Sequence, residues 1–305
     1  MKLKDYATIR YAAERSVVER IDNLRLPESD LHFSDEWGME IINYPSKNAD
    51  FRFALFDFDG TLSLIREGWR EIMIPYFIEV ILEAPEAEDK ETIEGIVTLF
   101  VDRLTGKQTI FQCMQLDEEV VKRSGKKCAP GIYKAEYLRR LEIHIRSRLE
   151  ELRRGENPGK YLVPGSIKLL ELLCENGYKL FLASGTDEPD VIKEATLLGL
   201  DKYFGSHIYG ARDDMTDCSK EMVIRNIISE NKLTGAELVA FGDAYVEIEL
   251  AASVGGYTVG AATDEVRRKG INMIKRERML EAGADLIIPD FSEAEKLVAF
   301  LKGER

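Results

Sequence analysis

Acidic and hydroxyl side chains recur in this sequence where an apolar run gives way to a turn. They are Asp57, Asp59 and Thr61 after a first run, Ser184, Gly185 and Thr186 after a second, and Gly242 and Asp243 after a third. Clustered carboxylates repel one another, so they either share a proton or bind a hard divalent cation. Oxygen ligands without His or Cys favour Mg²⁺ over Zn²⁺. If the fold brings these turns together, the pattern predicts a magnesium site that contains Asp57, Asp59 and Asp243.

An aspartate at a magnesium site can attack phosphorus and form an aspartyl-phosphate, which divides one difficult displacement into two easier steps. Asp57 is the predicted nucleophile. Asp59, two residues later, is placed to protonate the leaving oxygen and then to deprotonate the attacking water. The transferred phosphoryl group also needs hydrogen-bond donors, which Ser184 or Thr186 can supply together with loop amides at a helix N-terminus.

Two further charged residues are candidates for the same site. Lys220 follows Ser219, a candidate N-cap, so a cation lies at the positive end of a predicted helix. A bound anion would remove this conflict, and we expect Lys220 to bind phosphate, although an isolated lysine is most often a surface residue. Glu247 lies four residues after Asp243, where it either ligates the metal through water or orients a ligand.

Alternating strands and helices are predicted to position these residues. Predicted strands lie at 51–58, 179–183, 207–209, 238–241, 257–259 and 286–288, and predicted helices at 166–176, 189–198, 220–231, 265–281 and from Ser292 onward. Ser292 and Glu295 have the spacing of a capping box. Strands separated by helices indicate an α/β fold, a doubly wound parallel sheet. Such sheets bind ligands beyond the carboxyl ends of their strands, near the point where strand order reverses.

Helical periodicity replaces this alternation between residues 66 and 160. Predicted helices there cover 72–82, 93–104 and 132–154. We therefore predict a core formed by residues 51–65 and 161–305, with residues 66–160 inserted as an all-helical cap. Residues 1–50 are predicted to form an extension that contains an amphipathic helix at 5–24 and an irregular connection at 26–49.

Composition excludes several classes of protein. The chain has 305 residues, of which 45% are hydrophobic and 32% charged, and its formal net charge is −13. It is too hydrophobic for a disordered chain and too charged for a membrane protein. The negative charge repels nucleic acid and anionic lipid, so neither is an expected partner. A small phosphorylated metabolite is compatible with this charge if a local positive site holds it.

From the pattern of residues 1–20 and of the cysteines we expect neither a secretory signal nor a disulfide scaffold or zinc site. Residues 1–20 mix acidic and basic side chains and lack the apolar core of a secretory signal. Four cysteines, at positions 113, 128, 174 and 218, form no Cys-x-x-Cys pair and indicate free thiols rather than a disulfide scaffold or a zinc site. We therefore expect a cytoplasmic protein, and the sequence does not indicate its oligomeric state.

The charge-bearing motifs resemble those of the haloacid dehalogenase (HAD) superfamily, in the same order along the chain. The matching residues are Asp57-Phe58-Asp59-Gly60-Thr61, Ser184-Gly185-Thr186, Lys220, and Gly242-Asp243 with Glu247. The resemblance implies that the side chains of Asp57 and Asp243 and the backbone carbonyl of Asp59 bind Mg²⁺. It also implies that the Ser184-Gly185 motif and Lys220 bind phosphate, with Thr61 and Glu247 in supporting positions.

The helical insert resembles the C1-capped branch of this superfamily, which includes phosphoglycolate phosphatase and β-phosphoglucomutase. Asp59 argues against dehalogenases and phosphonatases, because those enzymes lack a carboxylate at this position. Glu247 departs from the more common aspartate and is one methylene longer, which preserves its charge but leaves direct metal contact open.

The insert is expected to select the substrate by closing over the crevice. Candidate substrate contacts are Arg66, Arg70, Arg103 and Lys107, the last in the loop 105–109. The alternatives are that the arginines are solvated helix charges and that Gly106 only ends a helix.

Three functional hypotheses follow from these residues. The first is a Mg²⁺-dependent phosphatase that hydrolyses a small organic phosphomonoester, such as a sugar or polyol phosphate, through an aspartyl-phosphate. The second is a sugar phosphomutase that uses the same aspartates, which the sequence alone cannot distinguish from the first. The third is a non-catalytic phosphate-binding interaction module, against which the full set of catalytic residue types argues.

Overall fold

A computed structural model describes residues 38–212, 220–232 and 235–304, except for the side chains of residues 220, 221 and 223. The amphipathic helix predicted at 5–24 and the cysteine at position 218 lie outside the described residues. Within the described ranges, no helix is both long and apolar enough to cross a membrane.

A seven-stranded sheet forms the centre of the molecule. Its strands are β1 (Glu40–Ile41), β2 (Phe53–Phe56), β3 (Lys179–Asp187), β4 (Ile208–Ala211), β5 (Leu238–Gly242), β6 (Tyr257–Ala261) and β7 (Leu286–Ile288). Their order is β1-β7-β6-β5-β2-β3-β4, and all pairs are parallel except β1 with β7. The chain runs outward from β2 to β4 and then returns to the other side of β2, so strand order reverses beside β2.

Strand β2 lies between β3 and β5 because its side chains are apolar on both faces. Leu55 packs into a cluster with Phe181 on one face, whereas Phe56 points to the other face and stacks on Phe241 with ring centroids 4.5 Å apart. Both Leu55 and Phe56 are almost fully buried. Burying a side chain of this size stabilises the fold by about 1.5–3 kcal/mol.

Four helices are inserted between β2 and β3. They are α1 (Trp69–Leu82), α2 (Lys90–Arg103), α3 (Thr109–Lys122) and α4 (Pro130–Arg153), which we call the helical insert. Helical periodicity in the sequence predicts α1, α2 and α4 but not α3. The buried face of α3 includes Gln112, Asp117 and Glu119, and these polar residues interrupt the apolar stripe that would have indicated a helix.

Seven more helices connect and cover the strands. They are α5 (Ser166–Glu175), α6 (Glu188–Leu197), α7 (Asp201–Phe204), α8 (Lys220–Glu230), α9 (Tyr245–Ser253), α10 (Met273–Glu281) and α11 (Ala294–Leu301). Side chains of α8 and α9 join the buried cluster of Leu55, and those of α5 and α11 join the cluster of Phe56. Helices therefore cover both faces, which confirms the predicted doubly wound sheet with an inserted all-helical cap.

Part of the predicted extension belongs to the sheet. Glu40 and Ile41 pair antiparallel with β7, although residues 26–49 were predicted to be an irregular connection. Arg276 of α10 binds the buried carboxylate of Glu40 and anchors this edge strand. A strand of two residues is too short to produce a recognisable alternation of apolar and polar side chains, so the pattern missed it.

Two predicted helix starts were wrong. The helix predicted from 265 begins at Met273, because Gly270 adopts φ of +81° and the side chain of Asn272 caps the helix. The capping box at Ser292 does not form: the helix starts at Ala294 with Glu293 as its N-cap, and no side chain caps it. Residues 262–272 are therefore a loop at the carboxyl end of β6.

Candidate active site

The turn after β2 places the first motif beside the end of β5. The amide of Asp57 donates to the carbonyl of Phe241 (2.9 Å), which keeps Asp57 in register with β5. Gly60 then adopts φ of +76°, in the left-handed region that favours glycine. A Cβ atom at this position would lie 2.2 Å from Oδ2 of Asp243. The turn therefore requires glycine, and its backbone lies directly against Asp243.

The two oxygens of Asp59 have different surroundings. Oδ2 accepts hydrogen bonds from the hydroxyls of Thr186 (2.7 Å) and Ser184 (3.4 Å). Oδ1 is buried, lies 4.0 Å from Nε of Arg66 and has no hydrogen-bond partner among the described residues. The hydroxyls therefore orient the carboxyl group through Oδ2 and leave Oδ1 available for a proton.

The second motif lies within β3 rather than after it. The strand continues to Asp187, beyond the predicted end at residue 183, and its register with β4 becomes irregular between Ala183 and Asp187. The buried hydroxyl of Ser184 accepts a hydrogen bond from the amide of Thr186 (3.0 Å). The structure thus brings this motif onto Asp59, with Ser184 behind the residues that face the site.

Lys275, which is mostly buried, contacts Asp243 of the Gly242-Asp243 motif. Nζ of Lys275, in the first turn of α10, lies 2.6 Å from Oδ2 of Asp243 and 2.6 Å from Oε1 of Glu265 in the loop 262–272. Burial lowers the pKa of Lys275, but the Asp243 and Glu265 carboxylates outweigh this effect and raise the pKa above its ordinary value. Lys275 therefore carries a positive charge at the edge of the acidic cluster.

The carboxyl ends of β2, β3 and β5 and the helical insert enclose one cavity of about 110 Å³. Its described lining residues from the core are Asp57, Asp59, Gly185, Thr186 and Asp243, and Arg66, the first residue of the predicted cap, also lines it. Those from the insert are Trp69, Met73, Thr105, Gly106, Lys107, Thr109, Gln112, Tyr137 and Leu141. The predicted acidic residues therefore share a cavity that has an acidic floor and a largely apolar wall.

The loop between α2 and α3 lies directly on the core. Gly106 adopts φ of +87°, and a Cβ atom there would lie 2.7 Å from Cβ of Ala244, the residue after Asp243. The backbone carbonyl of Lys107 lies against Gly185 of the second motif. Gly106 therefore does more than end a helix, since it allows the insert to approach the site.

Polar contacts between the insert and the core surround the cavity. The hydroxyl of Tyr245 donates to the carbonyl of Arg103 (3.1 Å), and Lys134 forms an ion pair with Asp187 (2.7 Å). The side chain of Lys134 is only 8% exposed, so this pair is poorly screened by solvent. These contacts hold the insert in place over the site.

Arg66 enters the cavity already paired. Its guanidinium lies 2.7 Å from Oε1 of Glu194 and 3.5 Å from Oδ2 of Asp190, both on α6. Burial raises the pKa of Glu194, although Arg66 opposes this effect. Two carboxylates thus balance the positive charge of Arg66 before any ligand binds.

The other predicted substrate contacts are placed differently. Arg70 pairs with Asp102, and Arg103 donates to the side chain of Gln115 (3.1 Å), so neither is among the described lining residues of the cavity. Lys107 lines the cavity, but its side chain is exposed. Of the four predicted contacts, the structure places Arg66 and Lys107 at the cavity.

The structure describes two of the three remaining predicted site residues, Glu247 and Thr61, more fully than the third, Lys220. Lys220 begins α8, as predicted, but its side chain is outside what the structure describes. Glu247 is fully buried in the first turn of α9, and its carboxylate packs against Gly242. Thr61 is also fully buried, and its hydroxyl has no hydrogen-bond partner within the described part of the chain. Glu247 and Thr61 therefore lie close behind the turns that carry the aspartates.

The residues present fit a magnesium ion by their chemistry. Among the described residues, no group of three or more His, Cys, Asp or Glu side chains is arranged for a metal ion. The predicted ligands are different, because they are the side chains of Asp57 and Asp243 with the carbonyl of Asp59. All three donors are oxygens, as Mg²⁺ prefers. The shared cavity, which Asp57, Asp59 and Asp243 all line, adds to this fit.

The sequence pattern did not indicate several residues of the site. Trp69 and Gln112 line the cavity from the insert, and Glu194 and Lys275 pair with charged site residues. Lys275 had a usable signal, since a lysine in the first turn after the cap Asn272 opposes the helix dipole, as Lys220 does. Its predicted helix started too early for that signal to be seen.

The fold and the site define an α/β protein with an acidic centre at the carboxyl ends of parallel strands and a helical insert above it. Residues 51–255 match the family model described as haloacid dehalogenase-like hydrolase. This match spans more than half of the chain, so the protein belongs to the haloacid dehalogenase-like hydrolase family. The resemblance inferred from the motifs is thereby confirmed.

Solved structures share this fold at low sequence identity. A predicted phosphoglycolate phosphatase from Haemophilus somnus is 20% identical with a TM-score of 0.53, over 81% of this chain and 98% of that chain. A β-phosphoglucomutase from Clostridium difficile is 14% identical (TM-score 0.56, 83% and 98%). CbbY from Rhodobacter sphaeroides, solved with phosphate, is 20% identical (TM-score 0.51, 80% and 96%). No curated protein sequence matches the chain.

Proposed function

We propose that the protein is a Mg²⁺-dependent phosphatase that hydrolyses a small organic phosphomonoester through an aspartyl-phosphate on Asp57. The observation that carries this proposal is that Asp57, Asp59 and Asp243 line one cavity beneath the helical insert. Membership of a hydrolase family supports it. In the first step, a carboxylate oxygen of Asp57 attacks phosphorus, the ester P–O bond breaks, and protonated Asp59 gives its proton to the leaving oxygen.

The second step regenerates the enzyme. Asp59, now a carboxylate, accepts a proton from water, and the water oxygen attacks phosphorus. The bond between phosphorus and Asp57 breaks, which releases inorganic phosphate and restores the Asp57 carboxylate. Thr186 holds Oδ2 of Asp59 throughout, so Oδ1 is the oxygen that carries the proton.

Asp57 and Asp243 through their side chains, and Asp59 through its carbonyl, would hold Mg²⁺. When bound, this cation would offset the charge that the phosphoryl group brings to three carboxylates. The hydroxyl of Ser184, whose contact with Asp59 is long (3.4 Å), the amide of Gly185 and Lys220 are proposed to bind the phosphate oxygens. The helical insert covers the cavity and would limit the access of bulk water to it.

The cavity favours a neutral leaving group. Arg66 is the buried cation at the wall, and Glu194 and Asp190 already balance it. Trp69 provides an apolar face for a sugar or polyol, and the buried side chain of Gln112 provides an amide that can bind a hydroxyl. A CbbY variant has been solved with xylulose-1,5-bisphosphate. The negative balance here favours a sugar or polyol monophosphate over such a bisphosphate.

The test is a panel of phosphate esters assayed with Mg²⁺ for released phosphate and for isomer formation. The panel includes hexose and glycerol phosphates, phosphoglycolate and a sugar bisphosphate. Release of phosphate from sugar or polyol monophosphates supports the proposal, provided that Asp57→Asn abolishes it. Isomer formation without net phosphate release indicates a phosphomutase instead. Absence of both reactions across the panel favours a non-catalytic phosphate-binding module.

A further inference from the structure

Lys275 occupies one of the two carboxylate oxygens of the proposed metal ligand Asp243. We propose that this contact makes the site selective for Mg²⁺ over Ca²⁺, because it limits Asp243 to a single oxygen for the cation. The inference rests on the proposed function in that it takes Asp243 as a metal ligand. It assigns Lys275 as a positioning residue.

The contact is held from both sides. Nζ of Lys275 lies 2.6 Å from Oδ2 of Asp243, and the side chains are only 14% and 12% exposed. A second bond, 2.6 Å to Oε1 of Glu265, prevents the ammonium group from turning toward solvent. The side chain of Asn272 accepts a hydrogen bond from the amide of Lys275 (3.1 Å) and so fixes its backbone. Hydrogen bonds to the backbone and to the ammonium group therefore hold Lys275 in place at the site.

Asp243 has little freedom to exchange its oxygens. The backbone of Gly60 packs so closely against Oδ2 that a Cβ atom there would lie 2.2 Å from it. Rotation of the carboxylate would break the bond to Lys275 and bring the other oxygen against this backbone. Because Asp243 also lines the cavity, Oδ1 is the oxygen left for a cation.

The two cations differ in what they require from a carboxylate. Ca²⁺ takes six to eight oxygen ligands and accepts bidentate carboxylates, whereas Mg²⁺ demands a compact octahedral shell and is held by one or two carboxylates with several waters. A site whose carboxylate offers one oxygen meets the requirement of Mg²⁺ and denies Ca²⁺ a ligand. The ammonium group also weakens the binding of either cation by repulsion, so selectivity is the quantity to measure.

Isothermal titration calorimetry on the metal-stripped full chain would give the dissociation constants of Mg²⁺ and Ca²⁺ without any assay of activity. Wild type should bind Mg²⁺ more tightly than Ca²⁺. Lys275→Met, a neutral side chain of similar shape, should shift the ratio of the two constants toward Ca²⁺ by about 10-fold, which is the low end of the effect that residues behind metal ligands have on metal affinity. Lys275→Arg keeps the donors and should retain the wild-type ratio. Lys296→Met, at a half-exposed lysine of α11, is the matched control.

Several results would overturn the inference. One is a folded Lys275→Met protein whose ratio of the two dissociation constants is that of the wild type. Another is a shift in Lys296→Met as large as that in Lys275→Met. The third is a ratio in Lys275→Arg that matches that of Lys275→Met. If Lys275→Met does not fold, the dissociation constants of the wild-type chain provide the test. Binding of Ca²⁺ that is equal to or tighter than binding of Mg²⁺ contradicts the assignment. Failure of the proposed function is distinguishable, because a chain that hydrolyses no phosphate ester can still show the shift in ratio.

Discussion

The hydroxyl of Thr186 donates a 2.7 Å hydrogen bond to Oδ2 of Asp59 and so joins the second motif to the first. The bond crosses between adjacent strands, because β2 and β3 are parallel neighbours. It fixes one oxygen of Asp59 and leaves Oδ1, which has no hydrogen-bond partner among the described residues, toward Arg66. Thr186 therefore acts on the proposed acid and base, beyond any contact with phosphate.

Replacing Thr186 should weaken acid and base catalysis. Thr186→Val keeps the shape but removes the donor, so Asp59 loses its orientation, and we expect kcat to fall by about 10²-fold, at the low end of the effect of a general acid. Thr186→Ser keeps a hydroxyl and should retain most of the activity. The measurement is kcat for the best ester of the panel with saturating Mg²⁺. Equal rates for the Val and Ser variants would show that the bond does not orient Asp59.

Asp59→Asn tests the acid itself. With an alkyl phosphate, whose leaving alkoxide needs a proton, kcat should fall by about 10²–10⁴-fold. With an activated aryl phosphate, the leaving group is stable without a proton, so the rate of the first step should fall much less. Rapid-quench measurement of the first turnover for both esters makes the comparison. The assignment of Asp59 as the acid is wrong if the rate of the first turnover falls by the same factor with both esters.

The sequence predicted the aspartates of the site because they follow apolar strands directly. Parallel strands end at one edge of a sheet, so Asp57 and Asp243 were expected at the same edge, and they meet because β2 and β5 are neighbours. Trp69 and Gln112 could not be predicted in the same way, since they reach the cavity only when the insert docks on the core. Lys275 was hidden because the loop before its helix, 262–272, has the charged composition of a helix, so the helix was predicted to start too early.

Two elements that the sequence pattern did not predict, β1 at the edge of the sheet and α3 in the insert, also depend on contacts outside the element itself. β1 depends on hydrogen bonds to β7 and on the buried pair of Glu40 with Arg276, which are contacts between residues more than 200 positions apart. Helix α3 buries Asp117 and Glu119, which bind the amide of Cys128 and the side chain of Arg123 within the insert, so its buried face does not look apolar. Both elements are specified by tertiary contacts rather than by local pattern.

Gly106 should be required for closure of the insert. Gly106→Ala places a methyl group against Ala244 and also strains the positive φ, so the insert must lift from the core. We expect KM to rise and kcat to fall, because the site is no longer sealed from water. Steady-state kinetics with the best ester checks this, and a variant with unchanged kinetics would show that closure does not depend on Gly106.

A matched control separates strain from collision. Gly155 also has a positive φ (+74°), but nothing lies within 4 Å of a Cβ atom there. Gly155→Ala should cost about 1 kcal/mol of stability from backbone strain alone and leave the kinetics unchanged. Unfolding in urea gives this stability change for both variants. If Gly155→Ala changes KM and kcat as much as Gly106→Ala does, backbone strain rather than the collision with Ala244 causes the kinetic defect.

The pH dependence of stability should reveal the buried network of Glu119. Burial raises the pKa of Glu119, but Lys122 and Arg123 outweigh this effect and hold the pKa below its ordinary value of 4.5. A carboxylate with a lowered pKa stabilises the fold above its unfolded pKa, and this contribution is lost as pH falls through the folded pKa. Glu119→Gln should therefore lower the free energy of unfolding by about 1.5–3 kcal/mol at pH 7, the usual effect of a hydrogen bond to a charged group.

The difference between wild type and Glu119→Gln should then shrink as the pH drops below 4.5, because protonated Glu119 is neutral like glutamine. Urea unfolding at a series of pH values measures this difference directly. Glu118→Gln, at the exposed neighbouring residue, should have no such effect because its carboxylate is solvated. A difference that is constant from pH 7 to pH 3 would mean that glutamine disturbs packing on α3. The charge of Glu119 would then not be what stabilises the insert.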